Sequence, residues 1–350
     1  MIAGETPADR LFGLMTGYYA SAAVYAASAL RLPDLMAEGG RDAAVLAERC
    51  EADPDAMRRL LRMLAGLDLV AHVGDEFELT ETGRLLCSDG DDSMHALALQ
   101  FAGPGQQGPW MELPWSVRTG EAAFAHSYGT DPFTYMAEHP EAAAVFNAAM
   151  AFLGGQSGAA LARGAAHDFS RFATVVDVGG GLGMMLANLL GAHPQMRGTL
   201  FELPHTAERA RPLLVQRGVA DRCEVVAGDV FVDALPAGAD AYLLKHVIHD
   251  FDDARAVEIL RACRRAMEPH SRVLVVETVH PDHVRPDRLH VRMAGSDLNM
   301  LVQLGGRERT EGDFRRLIGD AEMRLVGARR VGDLPCGMSG TTSILEAEPC

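Results

Sequence analysis

The stretch VVDVGGGLG, residues 175–183, decides the fold class of this 350-residue chain. A hydrophobic run that leads into a glycine-rich turn is typical of a strand followed by a helix. The dinucleotide motif GxGxxG is incomplete here, because the third glycine counted from Gly179 falls on Met184, and counted from Gly181 it falls on Leu186. We therefore expect a nucleoside without phosphates, rather than a dinucleotide, over this turn.

Around this turn the sequence alternates between strand-like and helix-like segments. Strand-like segments are TVVDVGG, GTLFEL, CEVVAGDV, ADAYLLKHV and RVLVVETV, and helical patterns follow the first, second and fourth of them. Such alternation is typical of a parallel sheet with helices on both faces. The last two segments, MRLVGARRVG and TTSILEAE, are joined by a loop rather than a helix, which predicts an antiparallel hairpin at the sheet edge.

Acidic residues end three consecutive strands of this predicted sheet. Glu202 follows Gly179 by twenty-three residues, where an acidic side chain can accept both hydroxyls of a ribose. Asp229 is placed to accept from an adenine amino group, and Phe231 to pack near its ring. Together with Asp177, which also suits a cationic ligand, these acceptors favour S-adenosylmethionine, a molecule with a ribose, an adenine and two positive charges.

Composition and charge exclude several classes of protein. With 48% hydrophobic and 23% charged residues, the chain has ample material for a globular core. A net charge of −16 disfavours nucleic acid and an anionic membrane as partners. No apolar run reaches the ~20 residues of a membrane span, and MIAGETPADR lacks the features of a secretory signal, so we expect a cytoplasmic protein. The six cysteines show no CxxC spacing, which favours reduced thiols over a disulfide framework or zinc site.

Residues 1–100 have the pattern of short helices and one hairpin. The stretch from Leu11 to Leu32 is apolar on most faces, which predicts a helix buried in a core or against a second subunit. Arg41 to Arg49 predicts a short helix, and Asp53-Pro54 begins another. LVAHVGDEFELTETG then predicts two strands joined by a turn. Three helices followed by a hairpin form the winged-helix arrangement.

Residues 101–170 form a connector between the two predicted domains. Aromatic residues are concentrated there, and glycines divide the segment into helical pieces. We expect the aromatic faces of these helices to line a pocket. The aromatic residues of this segment include Trp110, Trp115, Phe124, Tyr128, Phe133, Tyr135, Phe146 and Phe152.

Several motifs occur in the order in which one enzyme family carries them. VVDVGGGLG, LFELPH, AGDVF, LLKHVIHDFDD, VVETV and DLNMLVQLGGRERTEGDF resemble small-molecule O-methyltransferases of the caffeate type and their bacterial relatives from antibiotic pathways, such as the mitomycin 7-O-methyltransferase type. The resemblance covers nearly the whole chain. It implies an α/β fold with a Rossmann-like class I methyltransferase sheet in residues 171–350, and an N-terminal winged-helix, all-helical dimerisation domain in residues 1–100.

The resemblance also implies the roles of individual residues. His249 is the general base, in His-Asp-Phe where the family has His-Asp-Trp, and Glu277 and Glu308 lie beside it. Its own residues and the resemblance together predict that the chain binds S-adenosylmethionine, and its product S-adenosylhomocysteine, through Asp177, Gly179, Gly181, Glu202, Asp229, Val230, Phe231 and Lys245. The predicted substrate contacts are Phe146, Met150, Asp250, Met293, Asp297 and Met300.

Some residues allow alternative roles. His246 and His249 with Asp250, Asp252 and Asp253 could suggest a metal site. We prefer packing at the strand end for His246, and helix capping and first-turn charge for the three aspartates, so we predict no metal. For Asp297, a local cap and a contact with a polar substrate group are equal alternatives.

Three functions compete at this point. The first is S-adenosylmethionine-dependent O-methylation of a phenolic hydroxyl on an aromatic or quinone-type natural product, by a homodimer formed through the N-terminal helices. The second keeps the cofactor but performs hydroxylation, decarboxylation or cyclisation. The third is a winged-helix regulator, which Arg58, Arg59 and Arg62 favour but the net charge does not.

Overall fold

The computed structural model describes residues 6–90, 92–164, 166–332 and 342–350. Two compact units form, residues 1–108 with 144–149, and residues 109–143 with 150–350. Five cysteines in the described part are free thiols, and Cys336 lies outside it. No helix among the described residues is both long enough and apolar enough for a membrane span.

Seventeen α-helices form in the described residues. They are α1 Pro7–Thr16, α2 Tyr18–Ala29, α3 Leu32–Leu35, α4 Ala43–Arg49, α5 Pro54–Gly66, α6 Glu81–Arg84, α7 His95–Ala102, α8 Pro104–Met111, α9 Leu113–Thr119, α10 Ala123–Tyr128, α11 Pro132–Glu138, α12 Pro140–Ala162, α13 Met184–Ala192, α14 Pro204–Gln216, α15 Asp253–Ala266, α16 Arg288–Leu304 and α17 Glu311–Asp320.

The described residues also form eleven strands. They are β1 Arg41–Asp42, β2 Val70–Val73, β3 Glu76–Leu79, β4 Thr174–Val178, β5 Arg197–Glu202, β6 Cys223–Ala227, β7 Ala241–Lys245, β8 Arg272–His280, β9 Arg309–Thr310, β10 Met323–Arg330 and β11 Thr342–Pro349.

The first unit is helical apart from a small antiparallel sheet of order β1-β3-β2. Strands β2 and β3 are the predicted hairpin. The helix predicted from Arg41 is shorter than expected, because Arg41 and Asp42 pair with β3 and the Asp42 carboxylate accepts from the Ala44 N–H at 2.6 Å, which starts α4 at Ala43. A two-residue strand whose last residue caps a helix leaves no hydrophobic pattern in the sequence, so it could not be predicted.

The apolar N-terminal stretch is divided into three helices rather than one. Helices α1 and α2 meet at Gly17, and Arg31 adopts a left-handed φ of 55° before α3. Within this chain, α2 buries small residues such as Ala23 and Ala27. Large apolar side chains on α1 and at the start of α2 are exposed, namely Leu11, Phe12, Leu14, Met15, Tyr18 and Tyr19.

The second unit contains the predicted sheet, in the order β10-β11-β8-β7-β4-β5-β6. Strands β4 to β8 are parallel, and β10 and β11 form the predicted antiparallel hairpin at one edge. The short strand β9 adds to β8 in parallel. These findings confirm the predicted α/β architecture.

Alternate side chains of the central strands enter two separate cores, one on each face of the sheet. Val176 and Leu244 belong to a core that includes residues of α15 and α17, whereas Val175 and Leu243 belong to one that includes residues of α13 and α14. Residues i and i+1 of a strand point to opposite faces, so strands buried on both faces need continuous hydrophobic runs. The polar strand-end residues are left at the carboxyl edge, where such sheets bind ligands.

Candidate active site

The glycine-rich turn follows β4 at the carboxyl edge of the sheet. Gly179 and Gly181 have φ values of +68° and +60°, which side chains with a Cβ rarely adopt. A Cβ on Gly181 would meet no atom within 4 Å, so the turn has open space beside it. The carboxylate of Asp177 lies at the end of β4, fully buried, and neither oxygen has a hydrogen-bond partner among the described residues.

Glu202, the last residue of β5, faces the same turn. One carboxylate oxygen accepts from the Gly181 N–H at 2.7 Å, and the other accepts from the Leu203 N–H at 2.7 Å. Burial raises the pKa of Glu202, and these two N–H groups oppose the increase. Because each carboxylate oxygen has two lone pairs, Glu202 can hold the turn and still accept from a ligand.

The third predicted strand end, after β6, is engaged locally. One oxygen of Asp229 accepts from the Phe231 N–H at 2.9 Å. The Phe231 ring meets the Phe251 ring edge-on, with centroids 5.2 Å apart, and the Arg255 guanidinium lies 4.0 Å from the Phe231 ring centroid. Val230 is half-buried against the core below. Phe251, where the family has Trp, therefore packs against the turn after β6.

Lys245 ends β7 between two carboxylates, Asp177 and Glu277. Burial lowers the pKa of Lys245 to about 8, and the two carboxylates oppose that decrease. Burial raises the pKa of Asp177 to about 7, although Lys245 favours its charged form. A buried carboxyl group without hydrogen bonds, an open glycine turn and a strand-end Glu202 fit a cationic nucleoside such as S-adenosylmethionine.

His249 lies on a single 3-10 turn, Ile248–Asp250, directly after β7. One oxygen of the fully buried Glu277, on β8, accepts from the backbone N–H groups of Val247 at 3.0 Å, Ile248 at 2.9 Å and His249 at 3.3 Å. The other oxygen lies 3.3 Å from His249 Nδ1 and 3.4 Å from His246 Nδ1. Glu277 therefore holds the backbone of the turn as well as facing the imidazole.

Glu308 orients the imidazole itself. Its Oε1 lies 3.2 Å from His249 Nδ1 and accepts from the Ser296 hydroxyl at 2.7 Å. A carboxylate oxygen only accepts, so Nδ1 carries the proton of this contact. In the neutral ring Nε2 is then the basic nitrogen, and it lies 3.4 Å from an oxygen of Asp250.

Charge around His249 changes several pKa values. Burial alone would lower the pKa of His249, but Glu277, Glu308 and Asp250 raise it to about 10. Burial raises the pKa of Asp250 to about 7, and Glu277 and Glu308 add to that increase against the effect of His249. Burial would also raise the pKa of Glu277, but the two histidines and the backbone amides lower it to about 2. The free site therefore stabilises an imidazolium.

Arg309 was not anticipated from the sequence. Its guanidinium donates to the carbonyl oxygens of Ile248 at 2.9 Å and Phe251 at 2.8 Å, on either side of His249. The Arg307 N–H donates to the His249 carbonyl at 2.9 Å. In the sequence only its position next to Glu308 could have pointed to Arg309. The chain has thirty-one arginines, so the residue type alone does not single it out.

The predicted substrate contacts occupy different places. Asp297 lies on α16, and its Oδ1 accepts from the Glu308 N–H at 2.9 Å, which is a local structural role. Met293 is buried on α16, and Met300 is half-buried on the same helix. Met150, on α12, is half-buried in the second unit. Phe146 belongs to residues 144–149, which group with the first unit.

A group of potential metal ligands exists within the described residues. One ligand atom each of His246, His249 and Glu277 lies within 4.8 Å of the others. Nδ1 of each histidine already contacts one oxygen of Glu277. Of the three aspartates, Asp252 caps α15 and Asp253 pairs with Arg309, whereas Asp250 lies 3.4 Å from His249 Nε2. The absence of a metal stays a prediction.

Comparison with known proteins identifies the class of this fold and site. A model of the O-methyltransferase domain matches residues 110–324, and a model of the O-methyltransferase dimerisation domain matches residues 12–89. The chain belongs to this family, the S-adenosylmethionine-dependent O-methyltransferases, and is an enzyme of that class. The predicted family, the enzyme class and the α/β fold with an N-terminal dimerisation domain are confirmed, and the winged-helix arrangement of that domain stays a prediction.

Among curated relatives, the O-demethylpuromycin-O-methyltransferase of Streptomyces alboniger is 42% identical over 97% of this chain and 89% of its own length. The mitomycin biosynthesis 6-O-methyltransferase of Streptomyces lavendulae is 40% identical over 95% of this chain and 92% of its own. A more distant relative is an aclacinomycin 10-hydroxylase of Streptomyces purpurascens, 35% identical over 89% of this chain and 83% of its own.

Two solved structures extend this comparison. The mitomycin 7-O-methyltransferase superimposes with a TM-score of 0.89, at 37% identity over 98% of each chain. An O-methyltransferase from neocarzinostatin biosynthesis, crystallised with S-adenosylmethionine and 2-hydroxy-5-methyl naphthoic acid, superimposes with a TM-score of 0.81, at 32% identity over 99% of this chain and 100% of that one.

Proposed function

We propose that this enzyme methylates a phenolic hydroxyl of an aromatic or quinone-type natural product, with His249 as the general base. The observation that carries the proposal is the fixed imidazole. Glu308 accepts at Nδ1, Glu277 holds the backbone beneath the ring, and Nε2 remains as the basic nitrogen. A carboxylate at Nδ1 fixes the tautomer that a base needs and stabilises the imidazolium that forms.

The raised pKa of His249 determines how the base works. A phenol with an unperturbed pKa near ~10 has nearly the same proton affinity as an imidazole with a pKa of about 10. Such a pair shares its proton at little cost in free energy, so the imidazolium can hold the substrate as a phenolate. When His249 is protonated and the phenol is neutral, one of the two protons must first be released to solvent before the phenolate can form. We therefore expect turnover to increase with pH.

The residues that would hold S-adenosylmethionine are those of the glycine turn and the strand ends. Glu202 would accept from the ribose, the turn at Gly179 and Gly181 would leave room for the ligand, and Asp177 would complement its positive charge. Bound S-adenosylmethionine supplies a methyl group on a positively charged sulfur, whose departure as a neutral thioether needs no acid. What the chain must provide is a deprotonated oxygen and a straight approach.

The acceptor pocket is proposed to lie along α16. This helix contacts the 3-10 turn of His249, and α9 and α10 pack on it. Trp110 donates from Nε1 to Asn299 of α16 at 2.9 Å. An aromatic acceptor is supported by these neighbouring aromatic helices and by the naphthoate bound in the neocarzinostatin relative. Met150, Met293 and Met300 are proposed to face it, with Asp250 near its hydroxyl.

A homodimer is proposed through the N-terminal helices. The dimerisation-domain match covers them, and the exposed apolar side chains of α1 need cover. Six large apolar side chains exposed on one short segment are typical of a surface that another protein chain covers. Size measurement in solution tests this assignment directly.

Replacing His249 by Ala tests the main proposal. With a panel of phenols and hydroxyquinones as acceptors, we expect kcat to fall by ~10²–10⁴-fold while S-adenosylmethionine still binds. The matched control is His270→Ala, which removes an exposed histidine that pairs with Asp240 at 3.3 Å, at the amino end of β8. Near-normal turnover in His249→Ala would remove His249 as the base.

A second candidate keeps the cofactor and changes the reaction. It is favoured by one observation, the aclacinomycin 10-hydroxylase among the relatives of this chain. Mass spectrometry separates the two candidates, since methyl transfer adds one CH2 to the acceptor and releases one S-adenosylhomocysteine per turnover. A modified acceptor with unconsumed S-adenosylmethionine would establish the second candidate instead.

A further inference from the structure

We infer that Arg309 is a positioning residue for the base, because its guanidinium fixes the backbone of the turn 247–251 that carries His249. The inference rests on the proposed role of His249. Arg309 is 1% exposed and is the largest side chain among the fully buried ones in the described residues. A charged group so deeply buried is destabilising unless it is paired and hydrogen-bonded, so its contacts define its purpose.

All three guanidinium nitrogens donate. Nη1 reaches the Ile248 carbonyl at 2.9 Å, and Nη2 reaches the Phe251 carbonyl at 2.8 Å. Nε and Nη2 both reach one oxygen of Asp253, at 3.0 and 2.9 Å. The guanidinium thus joins two carbonyls that flank His249 to the first residue of α15, and charge-assisted bonds of this kind are the stronger ones in proteins.

The backbone near Arg309 also contacts the turn 247–251. Arg309, on β9, pairs with Val279 of β8, two residues beyond Glu277, so Glu277 and Arg309 lie on neighbouring strands. A Cβ on Gly306 would lie 2.0 Å from the His249 carbonyl oxygen, so the segment passes in direct contact with the turn. The turn is held by an anion at its N–H groups and by a cation at its carbonyls.

This division of charge matters for the chemistry. Glu277 alone would hold the amide side and leave the carbonyl side free to tilt, which would move His249 away from Glu308. A misplacement of about 1 Å at a reacting group can cost ~10²-fold in rate. Lysine cannot substitute, because an ammonium is a point charge without the planar fork that reaches two carbonyls and a carboxylate together.

The test compares Arg309→Lys with Arg222→Lys. Arg222 donates to the carbonyls of Leu190, His193 and Met196 at 2.8 to 3.2 Å, near the amino end of β6 and away from the base. Hydrogen exchange of a peptide spanning residues 246–252 and steady-state kinetics are measured on the full-length enzyme. Asp253→Asn is the milder second variant, since it keeps an acceptor for Arg309 but loses its charge.

In Arg309→Lys we expect the amides of residues 247–249 to exchange about tenfold faster or more. We expect kcat to fall ~10–10²-fold, while KM for S-adenosylmethionine stays within about twofold. Asp253→Asn should change the exchange rate and kcat in the same directions but by less. Arg222→Lys should change neither the exchange rate nor kcat. Unchanged exchange in the turn, or an equal loss of kcat in Arg222→Lys, overturns the inference. Activity in His249→Ala would refute the proposed function and leave the exchange comparison standing.

Discussion

Backbone geometry forms the proposed cofactor half of the site, at the ends of β4 and β5, whereas charged side chains form the proposed base half, at the ends of β7 and β8. In the first half, Gly181 leaves open space beside the turn and the Asp177 carboxyl has no hydrogen-bond partner among the described residues. In the second half, Glu277 and Arg309 satisfy both sides of one turn. We therefore expect the turn that carries His249 to be held before any ligand binds, and we expect a bound cofactor to contact the Asp177 carboxyl.

The largest expected effect separates the two halves by their buried carboxylates. Glu277→Gln should lower the free energy of unfolding by about 3–5 kcal/mol and kcat by at least ~10²-fold, because it removes a buried charge that is paired and hydrogen-bonded. Asp177→Asn should change the free energy of unfolding by less than about 1 kcal/mol, because desolvation already offsets its attraction to Lys245. Urea unfolding and steady-state kinetics of both variants measure these two quantities. Equal destabilisation of the two variants would contradict the expected difference between the halves.

The pH dependence should be set by the base half. With His249 at a pKa of about 10, kcat/KM should rise about tenfold per pH unit between pH 7 and 9, as the one proton is lost. Stabilisation by the imidazolium is fully present below the unfolded-state pKa of 6.5 and is lost as pH rises through about 10, so Tm should fall over that interval.

The control for the pH measurement is Glu308→Gln. Removing this carboxylate takes away one cause of the raised pKa, so the rise of kcat/KM should shift to lower pH even though its maximum is lower. A wild-type rate that levels off near pH 7 would show instead that His249 titrates as an ordinary histidine during turnover.

The smallest expected effect sharpens the description of the cofactor half. Gly181→Ala should lower the free energy of unfolding by about 1–2 kcal/mol, because the residue has a positive φ. It should also weaken the binding of S-adenosylmethionine, since the new Cβ enters the open space beside the turn. Gly183 has a φ of +77°, and a Cβ added there would lie 3.2 Å from Leu214 and 3.3 Å from Leu200. Gly183→Ala should therefore lower the free energy of unfolding by more than Gly181→Ala does. Calorimetric titration and thermal unfolding of both variants check this, and the reverse order would place the open space elsewhere.

The sequence predicted the sheet well because its signals are local. Val175 to Gly183 contains strand, turn and helix start within nine residues, and the edge hairpin follows from a missing helix. The N-terminal helices were harder, because the break at Gly17 and the strand at Arg41 depend on tertiary pairing rather than on periodicity.

The candidate site could be predicted only where motifs carry it. His249 and Glu308 are 59 residues apart, and only the resemblance implied that they lie together. Ser296 on α16 contacts Glu308, and Arg309 on β9 contacts the 3-10 turn and the start of α15. No short-range sequence pattern marks such residues. Asp297 shows the same limit, since its bond to the Glu308 backbone could not be told from a substrate contact in the sequence.

The composition of the chain gives its site a chemical handle. Lys245 is the single lysine among 350 residues, so apart from the chain terminus the molecule offers one primary amine. That amine lies at the end of β7 with a pKa of about 8, and a sizeable fraction is therefore uncharged and nucleophilic in mildly alkaline buffer. Acylating or reductively alkylating reagents small enough to enter would modify Lys245 as the only side-chain amine, and the extent of its labelling would report whether the site is occupied.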